Sequence, residues 1–259
     1  MPRRAVLSDE QRMALLALPD DETTLVQHWT LSEDDLAIIV RRRRPHNRLG
    51  FAIQLCALRY PGRLLRPGEL IPDTPLAFVA EQLQIAPEVL ADYATRGPTR
   101  YEQLDALREG FGFTQFSRPL RAALQEWLLP IALTTTSGAG LARSLLGECR
   151  RRRIIVPGIS SVERMVAQAL LDAERHVAEH LTRGLETGQR RLLDALLLPH
   201  AGTNLSGLGW VRQPPGKPGR KTFAVIIRRL ALLRDIGIDP DIAAGIHPER
   251  LRRLCQEWA

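Results

Sequence analysis

Two short patterns in the sequence have the spacing of known catalytic or ligand sites. His176-Val-Ala-Glu-His180 places two histidines at positions i and i+4 of a predicted helix, where they share one face and could bind zinc. No third ligand is indicated, so a metal hydrolase is the least favoured interpretation and a solvated or core-edge pair of histidines is favoured. Thr134-Thr-Thr-Ser-Gly-Ala-Gly140 resembles a phosphate loop but lacks the required Gly-Lys-Ser/Thr ending, so a helix cap is favoured. Neither pattern predicts a catalytic residue, a metal site or a cofactor.

The residues best suited to a chemical task are the arginines, because the planar guanidinium group binds phosphates and guanine edges with paired hydrogen bonds. The 259-residue chain has 36 basic and 29 acidic residues and a formal net charge of +7. Only Lys217 and Lys221 are lysines. A GC-rich genome also favours arginine over lysine, so the composition alone leaves both explanations open.

The arginines are concentrated in one stretch that has no acidic residue. Residues 36–68 contain eight arginines and no acid, whereas residues 8–35 contain eight acids and one arginine. A solvated helix surface normally interleaves charges of both signs. A block of a single sign beside apolar residues therefore indicates a polyanionic partner, and nucleic acid is favoured. The charge of this block alone accounts for the whole positive excess of the chain.

The elements that would position these arginines are predicted to be helices. Apolar residues recur with helical periodicity along nearly the whole chain, and no convincing alternating strand is present. Patterns such as Ser8-x-x-Gln11 and Ser32-x-x-Asp35 resemble capping boxes at helix starts. We expect an all-α fold with helices near 9–17, 22–28, 33–43, 46–60, 75–84, 87–94, 99–110, 118–133, 139–153, 161–183, 188–198, 222–236 and 248–257.

Breaker residues and helix lengths divide the chain into three predicted regions. A linker rich in proline and glycine spans residues 61–72, and the helices lengthen after Phe116. We expect a first helix-turn-helix DNA-binding domain over 1–66, a second over 67–115, and a helical scaffold over 116–259. The apolar stripe of the helix near 161–183 is expected to be core, and a dimer seam is the alternative.

The first predicted unit places basic and amide side chains at the start of one helix. The helix near 33–43 turns sharply into the helix near 46–60, and the start of the second helix, together with Gln54, is expected to lie on or near an outer, groove-reading face. Asn47 could instead be a helix N-cap, and Gly50 could mark close approach either of another helix or of DNA. The candidate DNA-binding residues here are Arg41, Arg42, Arg43, Arg44, His46, Asn47, Arg48, Gln54, Arg59 and Arg63.

The second predicted unit repeats this arrangement. Helices near 75–84 and 87–94 precede a third helix near 99–110, whose first turn is expected to face outward. A hydroxyl, backbone amides and a guanidinium group at a helix start suit phosphate binding. An ordinary three-helix unit with a capped surface helix is the alternative. The candidate DNA-binding residues are Arg96, Thr99, Arg100, Tyr101 and Gln103.

Two further basic groups lie in the third region. The run 150–153 ends a predicted helix, where cations could bind phosphate or be stabilised by the helix dipole, and both interpretations stay open. The segment 213–220 is a flexible, basic loop rich in proline and glycine. The candidates are Arg150, Arg151, Arg152, Arg153, Lys217, Arg220 and Lys221.

Apolar runs, signal-peptide patterns and cysteines in the sequence predict the cellular compartment. No apolar run approaches the roughly 18 residues that span a bilayer, and no signal-peptide pattern follows Met1. The three cysteines are far apart in the sequence. We therefore expect a cytoplasmic protein with reduced thiols and no membrane partner.

A longer pattern resembles a known family. Residues 43–62, Arg-Arg-Pro-His-Asn-Arg-Leu-Gly-Phe-Ala-Ile-Gln-Leu-Cys-Ala-Leu-Arg-Tyr-Pro-Gly, resemble the signature near the N-terminus of the Tn-three family of class II replicative transposases. Shorter matching motifs lie at 79–83, 93–96, 99–100, 110–113, 151–158, 163–164, 208–216 and 247–251. The resemblance therefore covers essentially the whole chain.

The resemblance implies a bacterial DNA-binding protein, nucleoid-associated when bound. In that family, a much longer protein binds the terminal inverted repeats of its transposon through this N-terminal region. A downstream RNase-H-like domain, with two aspartates and a glutamate holding Mg²⁺, cleaves and joins the DNA. The resemblance thus implies DNA recognition without catalysis or a cofactor in this chain, and a possible homodimer of the full-length protein. The alternative is a helical dimerisation or protein-interaction module with only non-specific DNA binding.

Overall fold

The computed structural model describes residues 6–93, 97–199 and 204–257, and most of these residues are helical. Within these residues there is no β-sheet, only two isolated β-bridges, so the all-α prediction is confirmed. The helices are α1 Asp9–Leu16, α2 Glu22–Trp29, α3 Glu33–Ile39, α4 Pro45–Arg59, α5 Asp73–Leu83, α6 Gly97–Phe111, α7 Arg118–Thr134, α8 Gly138–Arg151, α9 Ile159–Arg183, α10 Thr187–Ala195, α11 Gly207–Arg212, α12 Arg220–Ile236 and α13 Pro248–Glu257. Short 3₁₀ helices span Pro87–Asp92 and Pro240–Ala243.

Local chemistry sets several of these helix ends. Ser8 with Gln11, and Ser32 with Asp35, form the expected capping boxes. Helix α3 ends at Ile39, four residues earlier than predicted, and a turn then leads to an extended residue before Pro45. Arg44, which precedes that proline, has φ −111° and ψ 143°. A residue before proline is excluded from the helical region by the proline ring.

The chain divides into two compact units, Met1–Leu171 and Asp172–Ala259. The first unit is built around α4, which contacts α2, α3, α5, α6 and the first 3₁₀ helix. Ten consecutive residues of α4, from Leu49 to Leu58, are buried. A helix that is buried on every side is the centre of a core and not a surface element.

Gly50 permits one of these contacts. A Cβ atom built on Gly50 would lie only 2.1 Å from Cδ2 of the Tyr93 ring, so any larger residue would collide with the ring. The glycine therefore marks a close approach within the protein, as one of the two sequence interpretations proposed. The residues around it share a single hydrophobic core that extends from Leu25 to Ile155.

An extended segment, residues 154–156, joins distant parts of the first unit. The Thr114 N–H donates to Arg153 O at 2.8 Å, and the Ile155 N–H donates back to Thr114 O at 2.9 Å. The Val156 N–H donates to Gly62 O at 2.8 Å. These bonds tie together all three predicted regions. The division of residues 1–115 into two DNA-binding domains stays a prediction, and the elements of both lie around one core.

The stripe on α9 lies in the protein interior. Val162, Met165, Val166, Ala169, Ala173 and Val177 are all at most 5% exposed in the isolated chain. Their burial favours the core interpretation of this stripe over the dimer seam.

The second unit holds α10 to α13. Helix α11 was missing from the sequence expectation, and its N-cap is Ser206, whose Oγ accepts from the Gly209 N–H at 3.1 Å. Gln189 Nε2 donates to Gly237 O at 2.6 Å, which links α10 to the end of α12. Across the described part of the chain, no helix has the length and apolar character needed to cross a membrane.

Candidate nucleic-acid interface

The first candidate surface is the arginine turn, which we define as residues 41–48. It comprises the connection from α3 to α4 and the first turn of α4. Arg41, Arg43 and Arg44 are exposed, and none of the three forms an ion pair with any residue that the structure describes. Three cations that form no ion pair with any described residue therefore lie within four consecutive residues on the surface of the first unit. Unpaired cations of this kind attract a polyanion.

Two contacts hold the arginine turn in place. The guanidinium group of Arg42 lies 4.4 Å from the centroid of the Phe51 ring, a cation–π contact on the buried part of α4. Arg48 Nε donates to Arg42 O at 2.7 Å and closes the turn onto the helix. Arg42 and Arg48 thus shape the surface, while the exposed arginines remain available for contacts outside the protein.

The start of α4 lacks a side-chain cap. Arg44 occupies the N-cap position without a side-chain hydrogen bond, and Pro45 is the first helical residue. Asn47 is therefore not the N-cap, and it lies half-buried in the first turn with His46. The Asn47 and Arg48 N–H groups both donate to Arg44 O at 3.0 Å, so this helix start favours an anion through the positive end of its dipole.

Gln54 does not lie on this surface. It is 2% exposed, so the expectation that it faces outward is wrong. Helix α4 is enclosed on all sides from Leu49 to Leu58, which leaves only its first turn and its last residue, Arg59, open to solvent. The Gln54 Nε2 atom has no hydrogen-bond partner among the described residues.

Two other arginines of the basic block are used inside the protein. Arg59 donates two hydrogen bonds to Asp35, from Nη1 at 2.8 Å and from Nη2 at 2.6 Å. Arg63 donates to Glu69 from Nη1 at 2.9 Å and to Leu16 O from Nε at 2.7 Å. Both acids lie just outside the acid-free stretch in sequence, so the folded chain supplies counter-charges that the linear pattern hides.

The carboxylates in these pairs are stabilised in the charged form. Burial opposes ionisation of Asp35, but hydrogen bonds from Arg59 and from the Ser32 backbone outweigh it, so its pKa is lowered. Hydrogen bonding from Arg63 lowers the pKa of Glu69. Arg59 and Arg63 consequently have structural partners, and their availability to DNA stays a prediction.

The second predicted unit is only partly described. Arg96 lies outside the described residues, and the side chains of Thr99, Arg100 and Tyr101 do as well. Helix α6 begins at Gly97, two residues before the expected cap. Gln103 is 4% exposed, so the expectation that it faces outward is wrong. It lies four residues before the fully buried Leu107 and therefore on the same inward face of α6.

The run 150–153 forms the corner that follows α8. Arg151 and Arg152 both donate to Glu148, with Arg151 Nη2 at 2.7 Å from Oε1, and these hydrogen bonds lower the pKa of Glu148 to about 2. Arg153 adopts a positive φ of 53° and donates from Nη1 to Phe111 O at 2.9 Å. Arg151, Arg152 and Arg153 therefore all donate hydrogen bonds to acceptors within the protein.

Arg150 takes part in an aromatic stack. Its guanidinium group lies 5.0 Å from the centroid of the Tyr60 ring, and the His28 ring stacks on Tyr60 with the two ring centroids 4.9 Å apart. Burial, and then the Arg150 charge, lower the pKa of His28, while burial lowers the pKa of Arg150. The stack packs α8 against the end of α4, and phosphate binding by this run stays a prediction.

The loop before α12 and the first turn of α12 present the remaining candidates. Lys217, Arg220 and Lys221 are exposed and form no ion pair with any described residue. Sequence reasoning treated residues 36–68 as the source of the whole charge excess and missed a second stretch. Residues 195–234 contain seven basic residues and no acid, and the same count of charges would have revealed it.

His176 and His180 have the sequence spacing of a zinc site, but in the structure His180 contacts a backbone carbonyl group. His180 Nε2 lies 3.0 Å from Ala244 O, within the second unit. Among the residues that the structure describes, no group of three or more His, Cys, Asp or Glu side chains is placed to hold a metal ion.

Comparison with known proteins gives a consistent set of relatives. The family described as a domain of unknown function, DUF4158, matches residues 6–169. The chain is 38% identical over 257 residues to the transposase for transposon Tn21 from Escherichia coli, and 36% identical over 257 residues to the transposase for transposon Tn501 from Pseudomonas aeruginosa. It is 32% identical over 253 residues to the transposase for transposon Tn1546 from Enterococcus faecium. These alignments cover 97–99% of this chain and 26% of each relative, so the chain spans about a quarter of their length, at the N-terminal end.

Proposed function

The chain belongs to the DUF4158 family and is similar to the N-terminal region of Tn-three family transposases, and from this premise we propose that it binds double-stranded DNA at transposon terminal inverted repeats. The observation that carries the proposal is the arginine turn. Arg41, Arg43 and Arg44 lie exposed and unpaired, within the described residues, at the uncapped start of α4. Guanidinium groups beside the positive end of a helix dipole match the chemistry of a phosphate backbone.

The burial of α4 restricts how this surface can meet DNA. Because Leu49 to Leu58 are buried, α4 cannot lie along a groove with an exposed face. It approaches the duplex end-on, with the first turn and the preceding arginines reaching the backbone and the groove edge. In this arrangement Arg41, Arg43 and Arg44 supply affinity that depends on salt, and His46 and Asn47 are the side chains nearest to the bases.

The cleavage and joining of DNA are assigned by this proposal to the part of the transposase that the chain does not cover. The chain corresponds to about a quarter of its relatives. Its role is to select and hold the DNA, since binding energy at the transposon end positions the reacting strand for a separate catalytic domain. This proposal also places the protein on bacterial DNA in the cytoplasm.

The experiment compares two triple variants that each remove three positive charges. Arg41→Ala, Arg43→Ala and Arg44→Ala are combined in the first, and the exposed Arg118, Arg121 and Arg143 are replaced by alanine in the control. Fluorescence anisotropy with a terminal-repeat duplex of transposon Tn21 is recorded over a salt series. The slope of log K against log salt should fall by about 1 for each lost phosphate contact in the first variant and should stay unchanged in the control. Equal slopes in both variants would remove the arginine turn from the binding surface.

A further inference from the structure

Helix α12 and the loop before it carry a second concentration of positive charge, in the unit that follows the DUF4158 match. Helix α12 itself contains five basic residues and one acidic residue, Asp235, which lies near its C-terminal end. The preceding residues back to Ala195 add no acid. The surface is therefore complementary to a polyanion by the same criterion as the arginine turn.

The loop that presents these charges is anchored at both ends. Arg229 of α12 lies 5.4 Å from the centroid of the Trp210 ring and donates from Nη1 to Gln213 O at 2.5 Å, which fixes the start of the loop. Thr222 Oγ1 donates to Lys217 O at 2.7 Å, which fixes its end. Three prolines between these anchors limit the conformations of the backbone. Lys217, although predicted to lie in a flexible loop, is held at the start of α12.

Helix α12 also has the exposed face that α4 lacks. Phe223 is 65% exposed and Ile227 is 49% exposed, and their spacing of four residues places them on one side of the helix. The same helix presents Arg220, Lys221 and Arg228 to solvent. Charged side chains that flank exposed apolar ones suit the major groove, where phosphates border the base edges and thymine presents a methyl group.

We propose that α12 is a second DNA-contacting helix that lies along the major groove. Lys217, Arg220 and Lys221 bind phosphates, and Phe223 and Ile227 contact thymine methyl groups. This inference rests on the proposed function, because it takes duplex DNA as the partner, but it uses a different unit and different residues. A second copy of α12 is a poorer occupant of this face, since each copy brings five basic residues to the contact.

The methyl contacts give the inference a specific test. The probe is a duplex that the full chain selects from a randomised pool, prepared with thymine and with uracil, which lacks the methyl group. We expect uracil to weaken binding of the unsubstituted chain by about fourfold for each contacted methyl group. The combined variant Phe223→Ala, Ile227→Ala should bind more weakly and should no longer distinguish uracil from thymine. The matched control is Leu197→Ala, Leu198→Ala, which removes two apolar side chains that are 67% and 63% exposed in the same unit.

Each outcome separates this inference from the proposed function. If the α12 variant distinguishes uracil as the unsubstituted chain does, while the arginine-turn variant loses affinity, the inference is wrong and the proposed function stands. Light scattering measures whether the chain self-associates as its concentration rises. If the α12 variant self-associates less than the unsubstituted chain but binds DNA equally well, the face binds a second copy and the inference is wrong. If the full chain selects no duplex, the inference about α12 and the proposed function are both wrong.

Discussion

Arg59 and Asp35 form a two-pronged ion pair that joins the end of α4 to the start of α3. The two N–O distances are 2.8 Å and 2.6 Å, and the Asp35 side chain is 3% exposed. Asp35 also accepts from the Ser32 backbone N–H at 2.7 Å, so one carboxylate completes a capping box and an interhelical pair. An acid from the acidic stretch and a base from the basic stretch thus hold together the two helices that flank the arginine turn.

Arg59→Ala should destabilise the protein and leave the arginine turn misplaced. Removing one partner of a buried pair costs about 3–5 kcal/mol, and the partial exposure of Arg59 reduces this to about 2–3 kcal/mol. Urea unfolding of the variant measures the loss. Arg66→Ala, which removes an exposed arginine whose side chain forms no hydrogen bond or ion pair within the described residues, should change stability by less than about 0.5 kcal/mol.

Gly50→Ala should destabilise the first unit, because the new methyl group would collide with the Tyr93 ring at 2.1 Å. Overpacking of this kind costs about 1–3 kcal/mol. Gly110→Ala in α6 meets no atom within 4 Å and should be neutral or stabilising by up to about 1 kcal/mol. Similar midpoints for the two variants in urea unfolding would show that Tyr93 does not pack on α4.

Gln54→Met should leave DNA affinity unchanged, because the side chain is buried and away from the arginine turn. Its amide nitrogen has no partner among the described residues, so an apolar side chain of similar volume should be neutral or stabilising by about 1 kcal/mol. Anisotropy and thermal unfolding check the two parts. A loss of specific affinity in a stable variant would restore Gln54 to the DNA-binding surface.

Glu148 should make stability fall in acid. Hydrogen bonds from Arg151 and Arg152 hold its pKa at about 2, below the value of about 4.3 for an unfolded glutamate. A lowered folded pKa gives stability that is present above pH 4.3 and is lost as the pH falls toward 2. Glu148→Gln should lose this part of the pH dependence. The melting temperature between pH 2 and pH 5 is the measurement, and an unchanged profile would contradict the assignment.

The helices could be predicted because their signals are local. Ser8 and Ser32 cap helices within three residues of their partners, and Pro45 ends the preceding helical segment through its own ring. The periodicity of apolar residues then extends each helix. These effects act over one or two turns, so the sequence contains them directly.

The surroundings of α4 could not be predicted in the same way. Small residues such as Gly50, Ala52 and Cys56 add little to an apolar stripe, yet each lets another element approach, and together they bury the whole helix. The partner of Arg59 lies 24 residues away in sequence, and the acid-free stretch gave no sign of it. Contacts between distant segments decided which candidate residues face solvent.

The most direct test of DNA recognition is selection by the full chain from a pool of randomised duplexes, followed by anisotropy on the selected sequence. The account predicts one enriched motif, related to the terminal repeats of the relatives' transposons, and a preference of about 10³-fold or more over a scrambled duplex. It also predicts that the preference is lost when His46→Ala and Asn47→Ala are combined, which leaves the Arg48 contact with Arg42 O in place. A pool with no enriched motif, and equal weak binding to both duplexes, would contradict sequence-specific recognition and favour a helical interaction module.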